Sequence, residues 1–243
     1  MPKPIKVLFI HGLESKPNGA KVRGLRKQGF DVRCDDMYMS LFRLHRQNAI
    51  MRNVLRLPVL RIWALALVLI PIIGWLVQWF WVALVLDAFV FALGLMQKER
   101  AFARACMMSL EACIAIQQRA MEAYQPDIII GSSWGGAVTG ELMRRGLWTG
   151  PTILLAPAYQ KVMLISNVPN LNDRLQTLRQ LARTQHFTIF HDPTDHTVPY
   201  VHSQTLAMNT CITLNTVDAG GHRLLGIIED GSLAAAIQQA CPV

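Results

Sequence analysis

The sequence predicts an α/β fold, with a mostly parallel central sheet flanked by helices and one hydrophobic helical hairpin inserted in it. Three observations predict this. Short apolar runs closed by glycine or polar turns recur along the chain and read as buried strands. Segments with apolar residues three and four apart separate them and read as helices. Strands alternating with helices, each strand a continuous apolar run, imply a parallel sheet covered on both faces. The third observation is Leu57 to Met96, about 40 residues with only Arg61 and Asp87 charged, near twice the length that spans a bilayer once.

In chain order, KVLFI (Lys6 to Ile10) predicts the first strand, a short apolar run that ends at a glycine turn. Pro17 to Gln28 predicts a helix stopped by Gly29, and FDVRC (Phe30 to Cys34) the next strand. Asp35 to Arg56 is mixed and arginine-rich. The apolar stretch reads as a hairpin, Leu57 to about Leu76 outward and about Val77 to Met96 back, with Pro71 and Gly74 near its midpoint. A long helix is predicted from Gln97 to Tyr124, with Phe102, Cys106, Leu110, Cys113 and Ile116 on one face. The alternation is then regular. DIIIG (Asp127 to Gly131), TILLA (Thr152 to Ala156), FTIFH (Phe187 to His191) and CITLNTV (Cys211 to Val217) predict strands. Trp134 to Arg145, Leu171 to Arg183, Val198 to Met208 and Leu224 to Gln239 predict the helices after each.

The 243 residues suit one domain with a sizeable insertion. Five cysteines (Cys34, Cys106, Cys113, Cys211 and Cys241) form no CxxC pair. They suggest neither a metal site nor a disulfide framework, and all five read as small core residues. Net charge is +8, yet only 16% of residues are charged, too sparse for a nucleic-acid face. Much of the excess brackets the apolar stretch: Arg43, Arg46, Arg52, Arg56 and Arg61 before it, Lys98, Arg100 and Arg104 after it. That placement points to a membrane surface through 57–96, with both flanks on the cytoplasmic side. Trp75, Trp79, Phe80 and Trp81 at the tip suit a far interface, or a segment that dips into one leaflet. A soluble lid is the competing reading, but a lid shows a polar face and this segment shows almost none. Asp87 and Arg61, the two lone charges, are expected to pair across the hairpin. Ile5 to Ile10 leads straight into His11-Gly12 without the pattern of a secretory signal, which predicts a cytoplasmic globular part.

In such sheets, ligands bind outside the carboxyl ends of the strands. The strand ends here lead into His11-Gly12-Leu13, Gly131-Ser132-Ser133-Trp134-Gly135, His191-Asp192-Pro193-Thr194-Asp195 and Gly220-Gly221-His222, in chain order. The second is a G-x-S-x-G string between a strand and a helix, which makes a sharp turn with Ser133 at its apex as nucleophile. His222 falls after the last strand, where a general base belongs. Asp195 is preferred as the acid. Asp192 precedes a proline and is explained by turn chemistry, and Asp218 ends the same strand that leads to His222. An oxyanion hole needs two N–H donors, assigned to Trp134 and Leu13, with His11, Gly12, Gly131 and Gly135 shaping the turns. His11 is read as a loop-fixing side chain, not a reacting one.

HGLESKP (His11 to Pro17), GSSWGG (Gly131 to Gly136), HDPTDHTVP (His191 to Pro199) and GGHRLLG (Gly221 to Gly226) resemble the compact bacterial serine esterases of the α/β-hydrolase superfamily. The resemblance covers Lys3 to about Cys34 and Gln97 to the C-terminus, in matching order. It implies one hydrolase domain over 1–243, with a core of 3–35 and 97–243 and an insertion of 36–96 that the compact members lack. It also implies cofactor-free, metal-free cleavage of carboxylic esters or thioesters, with the family's nucleophile, acid and base on Ser133, Asp195 and His222. Beside the hairpin, the expected substrate is an acyl ester, thioester or lipid. The alternatives are acyl transfer through the same acyl-Ser133 intermediate, and a non-catalytic membrane-tethered binding module.

Overall fold

Alternate residues of the first strand face opposite ways, and this divides the core in two. In the computed structural model, which describes residues 3–242, Leu8 and Ile10 of β1 (Lys6–Ile10) point into one apolar layer, and Val7 and Phe9 into the other. Six strands form one wholly parallel sheet in the order β2-β1-β5-β6-β7-β8. They are β1, β2 (Asp31–Arg33), β5 (Ile128–Ser132), β6 (Thr152–Leu155), β7 (Phe187–His191) and β8 (Thr213–Thr216). A separate pair of two-residue strands, β3 (Met39–Ser40) and β4 (Asn48–Ala49), lies in the stretch after β2.

One face of the sheet is covered by α1 (Ala20–Lys27), α9 (Gly226–Glu229) and α10 (Ser232–Ala240), through Val22, Leu25, Ile227, Leu233 and Ile237. The other is covered by α4 (Phe80–Tyr124), α5 (Trp134–Arg144), α6 (Tyr159–Ile165) and α7 (Leu171–Leu181). There Leu110, Cys113, Val138, Leu142, Tyr159 and Leu178 pack on Ile129, Leu154 and Ile189. α8 (Tyr200–Ala207) joins β7 to β8. The register brings Ile10 beside Gly131, Ser132 beside Leu155, and His191 beside Thr216. The carboxyl ends of these strands therefore lie along one edge, with their outgoing loops side by side.

Several boundaries differ from the sequence reading, for local reasons. The strand read at Cys211 to Val217 shortens to Thr213–Thr216, because Ile212 N–H donates to Thr210 Oγ1 (3.1 Å), a turn bond. The last helix is split at Gly231, whose φ of +78° ends one helix and starts the next. Cys34, Cys106 and Cys113 are buried as read, but Cys211 is exposed and Cys241 partly so. The helix read from Gln97 instead begins at Phe80 and runs 45 residues, because no proline interrupts it and Gly94, near the expected boundary, stays within the helix against the Trp63 ring.

The hairpin consists of α3 (Pro58–Leu76) and the first half of α4, joined at Val77–Trp79, where Gln78 takes φ +58°. A short helix α2 (Ile50–Arg56) leads into it. The arms meet at small residues. A Cβ on Gly74 would lie 2.2 Å from Ala83 Cβ, and one on Gly94 would lie 2.8 Å from the Trp63 ring. Both helices are long and apolar enough to cross a membrane. From Phe80 to Phe102 the helix rises about 33 Å, against a hydrocarbon core of about 30 Å. Large apolar side chains of both arms face outward: Trp75 is 74% exposed, Trp81 78% and Phe89 61%. The expected Asp87–Arg61 pair does not form. Arg61 Nε donates to Leu55 O (3.3 Å), and Asp87 Oδ1 has no hydrogen-bond partner among the described residues.

One buried carboxylate binds the helical layer together. Glu141 of α5 is fully buried and accepts hydrogen bonds from Arg144, Arg145, Arg174 of α7 and Tyr159 of α6 at 2.9–3.1 Å. Arg145 also bonds Glu111 of α4 (2.7 Å). Burial pushes the Glu141 carboxyl up, but the arginine and tyrosine donors outweigh it and hold it down to about 2. A depressed folded-state value means the stabilisation is present above the ordinary value of 4.5 and is lost as pH falls through about 2. Glu141→Gln is expected to cost about 2–4 kcal/mol at pH 7, measured by urea unfolding of the detergent-solubilised chain. The gap from wild type should close as the pH is lowered through that window.

Candidate active site

β5 ends at Ser132, and Ser133 turns the chain into α5 with φ +55° and ψ −116°. A non-glycine residue here carries strain of order 1–3 kcal/mol, so the surroundings must enforce it. Ser133 N–H donates to Leu155 O (2.9 Å), and Ser133 O accepts from Gly136 and Ala158 N–H (2.9 and 3.0 Å). The flanking glycines allow the crowding. A Cβ on Gly135 would fall 2.0 Å from Ile10 O, and one on Gly131 would fall 2.3 Å from Thr139 Oγ1. Gly12 is tight as well, since its Cβ would lie 3.0 Å from Ser133 Cβ. The outcome is a strained Ser133 backbone held in place by its neighbours.

Three residues from three different loops meet at that hydroxyl. Ser133 Oγ donates to His222 Nε2 (2.8 Å), and His222 Nδ1 donates to Asp195 Oδ2 (2.7 Å). Asp195 is 7% exposed. Its Oδ1 accepts from Thr197 N–H (2.7 Å) and Val198 N–H (3.0 Å). Burial raises the Asp195 carboxyl, yet the hydrogen bonds from His222, Val198 and Thr197 keep it below the usual carboxylate range. An ionised Asp195 fixes the His222 tautomer with Nε2 free to take a proton.

The other carboxylates fall elsewhere. Asp192 Oδ1 accepts from Thr194 N–H and Oγ1 (2.6 and 2.7 Å), the turn expected of it, while its Oδ2 accepts from Gly221 N–H (2.5 Å). That last bond ties down the loop carrying His222, which the sequence did not suggest. Asp218 forms neither a hydrogen bond nor a salt bridge with His222. His11 is buried, and its Nε2 accepts from Met37 N–H (3.2 Å) while Nδ1 donates to Gly12 O (2.8 Å). Burial lowers its pKa, so it stays neutral and pins the loop after β2 to the Gly12 turn. Leu13 lines a cavity of about 400 Å³ together with Ser133 and His222. The backbone N–H groups of Leu13 and Trp134 donate to no acceptor among the described residues, so both are free for a ligand oxygen. No group of three or more His, Cys, Asp or Glu side chains is placed to hold a metal among the described residues.

Two neighbours were not anticipated. His191, the last residue of β7, donates from Nε2 toward Asp195 Oδ2 (3.2 Å) and Val198 O (3.1 Å). Its Nδ1 accepts from Ser203 Oγ (2.7 Å). Burial lowers its pKa, and the neutral ring shares with His222 the same Asp195 oxygen, Oδ2. The signal was its i, i+4 spacing from Asp195. Lys21 is the other, with Nζ donating to Ser132 Oγ (2.9 Å).

No protein-family model matches the sequence, and no curated protein matches it. Solved structures do. TT1662 from Thermus thermophilus is similar with a TM-score of 0.58 at 12% identity, over 99% of this chain and 90% of that one. Est1E from Butyrivibrio proteoclasticus is similar at 0.54 and 14%, over 98% and 86%. A protein from Xanthomonas campestris pv. campestris, described as of the α/β hydrolase superfamily, is similar at 0.50 and 16%, over 95% of each chain. At these identities the likeness is one of fold, and the fold of this chain is that of the α/β hydrolases, with a long apolar hairpin added.

The elbow glycines yield a differential test. Gly135→Ala meets backbone that cannot swing aside, and is expected to cost about 2–4 kcal/mol. Gly146→Ala, at φ +68° with nothing near its Cβ, should cost only about 1 kcal/mol. Urea unfolding of both variants checks the order.

Proposed function

We propose that this chain is a serine hydrolase that cleaves carboxylic esters or thioesters through an acyl-Ser133 intermediate, at a membrane surface. The observation that carries the reading is the continuous Ser133–His222–Asp195 hydrogen-bond chain beside two free N–H donors. The arrangement supports a two-step reaction. Ser133 Oγ attacks the acyl carbon as its proton passes to His222 Nε2, and Asp195 stabilises the imidazolium. The carbonyl oxygen, now negative, receives the N–H groups of Leu13 and Trp134. When the tetrahedral species collapses, the bond to the leaving alcohol or thiol breaks, and that group takes the proton from His222. Water then attacks the acyl-Ser133 ester with His222 as base. The acid departs and the Ser133 hydroxyl is restored.

The membrane part of the proposal is supported by the hairpin's outward apolar surface and by Arg52, Arg56, Lys98, Arg100 and Arg104 at its base. Residues 36–96 then act as an insertion in a single hydrolase domain. The hairpin anchors that domain, with the site on the cytoplasmic side.

Hydrolysis of 4-nitrophenyl butyrate by the full chain in neutral detergent tests the chemistry. Ser133→Ala should lower kcat by about 10⁶-fold, and Asp195→Asn by about 10⁴-fold. Full activity in Ser133→Ala contradicts the mechanism. Carbonate extraction tests the anchor, and the chain is expected in the membrane pellet. Release into the supernatant contradicts it.

A further inference from the structure

The cavity beside Ser133 is basic, and nothing in the proposed reaction uses that charge. Lys16, Lys21 and Arg223 line it together with Ser133 and His222. None of these three cations has a carboxylate within salt-bridge distance among the described residues. The one carboxylate on the wall, Glu14, is engaged elsewhere. Its Oε1 accepts from Ser40 Oγ (2.6 Å) and Leu41 N–H (2.8 Å), and its Oε2 lies 3.3 Å from Arg43 Nε.

Lys21 is the best placed of the three. It is the second residue of α1, and its ammonium reaches the serine next to the candidate nucleophile, donating to Ser132 Oγ at 2.9 Å. An ammonium has three donors, so two are unfilled by that contact. Burial lowers its pKa to about 8, and no anion offsets that cost. The start of α1 adds a positive partial charge on the same wall: Gly19 and Ala20 line the cavity, and the first turn holds no acidic residue.

A cavity with three unpaired cations and no available anion is complementary to an oxyanion. We infer that it reads a carboxylate or phosphate carried by the ester itself, with Lys21 contacting that group and Lys16 and Arg223 adding field. Esters of this class place the scissile carbonyl at Ser133 and the charged end against α1. The inference rests on Ser133 being the nucleophile, and names the substrate class of that site.

Two matched pairs test it in neutral detergent micelles with the full chain. The 4-nitrophenyl monoester of glutaric acid is compared with 4-nitrophenyl butyrate. 1-Butyrylglycerol 3-phosphate is compared with 1-butyrylglycerol. The readout is the ratio of kcat/KM, anionic over neutral, within each pair. Lys21→Met should lower that ratio by about 10- to 100-fold in at least one pair, and the pair that responds identifies carboxylate or phosphate. Lys21→Arg should keep most of the preference. Lys21→Gln, which can still bond Ser132, should behave as Lys21→Met does if charge is what matters. Unchanged ratios in both neutral variants overturn the inference. If wild type hydrolyses none of the four esters, the hydrolase reading fails separately. Calorimetric titration of inorganic phosphate onto Ser133→Ala protein then decides the anion site. Binding that disappears on adding Lys21→Met supports it, and no binding overturns it.

Discussion

The close approach of the β5–α5 turn to the end of β1 is the contact on which the rest of the site depends. Ser133 holds φ +55°, a conformation an L-residue avoids, and it does so because three backbone hydrogen bonds and two glycines leave no other path. Gly135 lies against Ile10 O, and Gly12 against the Ser133 side chain, so β1, its loop and α5 share one tight volume. Leu13, next after Gly12, lines the same cavity as Ser133 and His222, and Trp134 follows Ser133 directly in the chain. Ser133 and the loop after β1 are thus placed by a single packing arrangement, which the parallel register of β1 with β5 sets up.

Around that contact, polar groups are buried where they are satisfied. Asp195 receives four donors, from His222, His191, Thr197 and Val198, which permits an ionised carboxylate out of water. Asp192 sits three residues away with a different duty, anchoring the loop that presents His222. Glu141 does the equivalent for the helices. Lys21 is an exception, a partly buried cation whose one hydrogen-bond partner is the neutral Ser132, the residue before Ser133. Asp87 is a second exception, in the hairpin, and the structure gives no physical account of its unpaired oxygen.

The strands were legible because each is a closed apolar run, and the hairpin because charge is nearly absent from it. The residues of the candidate site were legible because parallel topology sends functional loops to one edge, so that three unrelated strand ends could be read together. Other features left little trace. α6 has only seven residues and comes close behind a strand, too short for a period to show. β3 and β4 are two residues each. The fusion of the hairpin's return arm with the core helix was hidden by the change from apolar to charged residues near Gln97, beside Gly94, which looks like a boundary although the helix runs straight through it. Lys21 acts through a tertiary contact across 111 residues, which no local pattern shows, whereas His191 contacts Asp195 only four residues away and its spacing was the available signal. The Asp87–Arg61 expectation failed because counting lone charges gives no information about their height along two helices.

One helix, α4, belongs both to the core and to the apolar hairpin: its second half is core and its first half exposes apolar side chains. The account centres on an activated Ser133. The direct measurement is labelling of the detergent-solubilised full chain by a fluorophosphonate probe, with the modified peptide located by mass spectrometry. The account predicts a single adduct on Ser133, absent in Ser133→Ala and strongly slowed in His222→Ala. An unlabelled but folded wild-type chain, or an adduct on another residue, would contradict it.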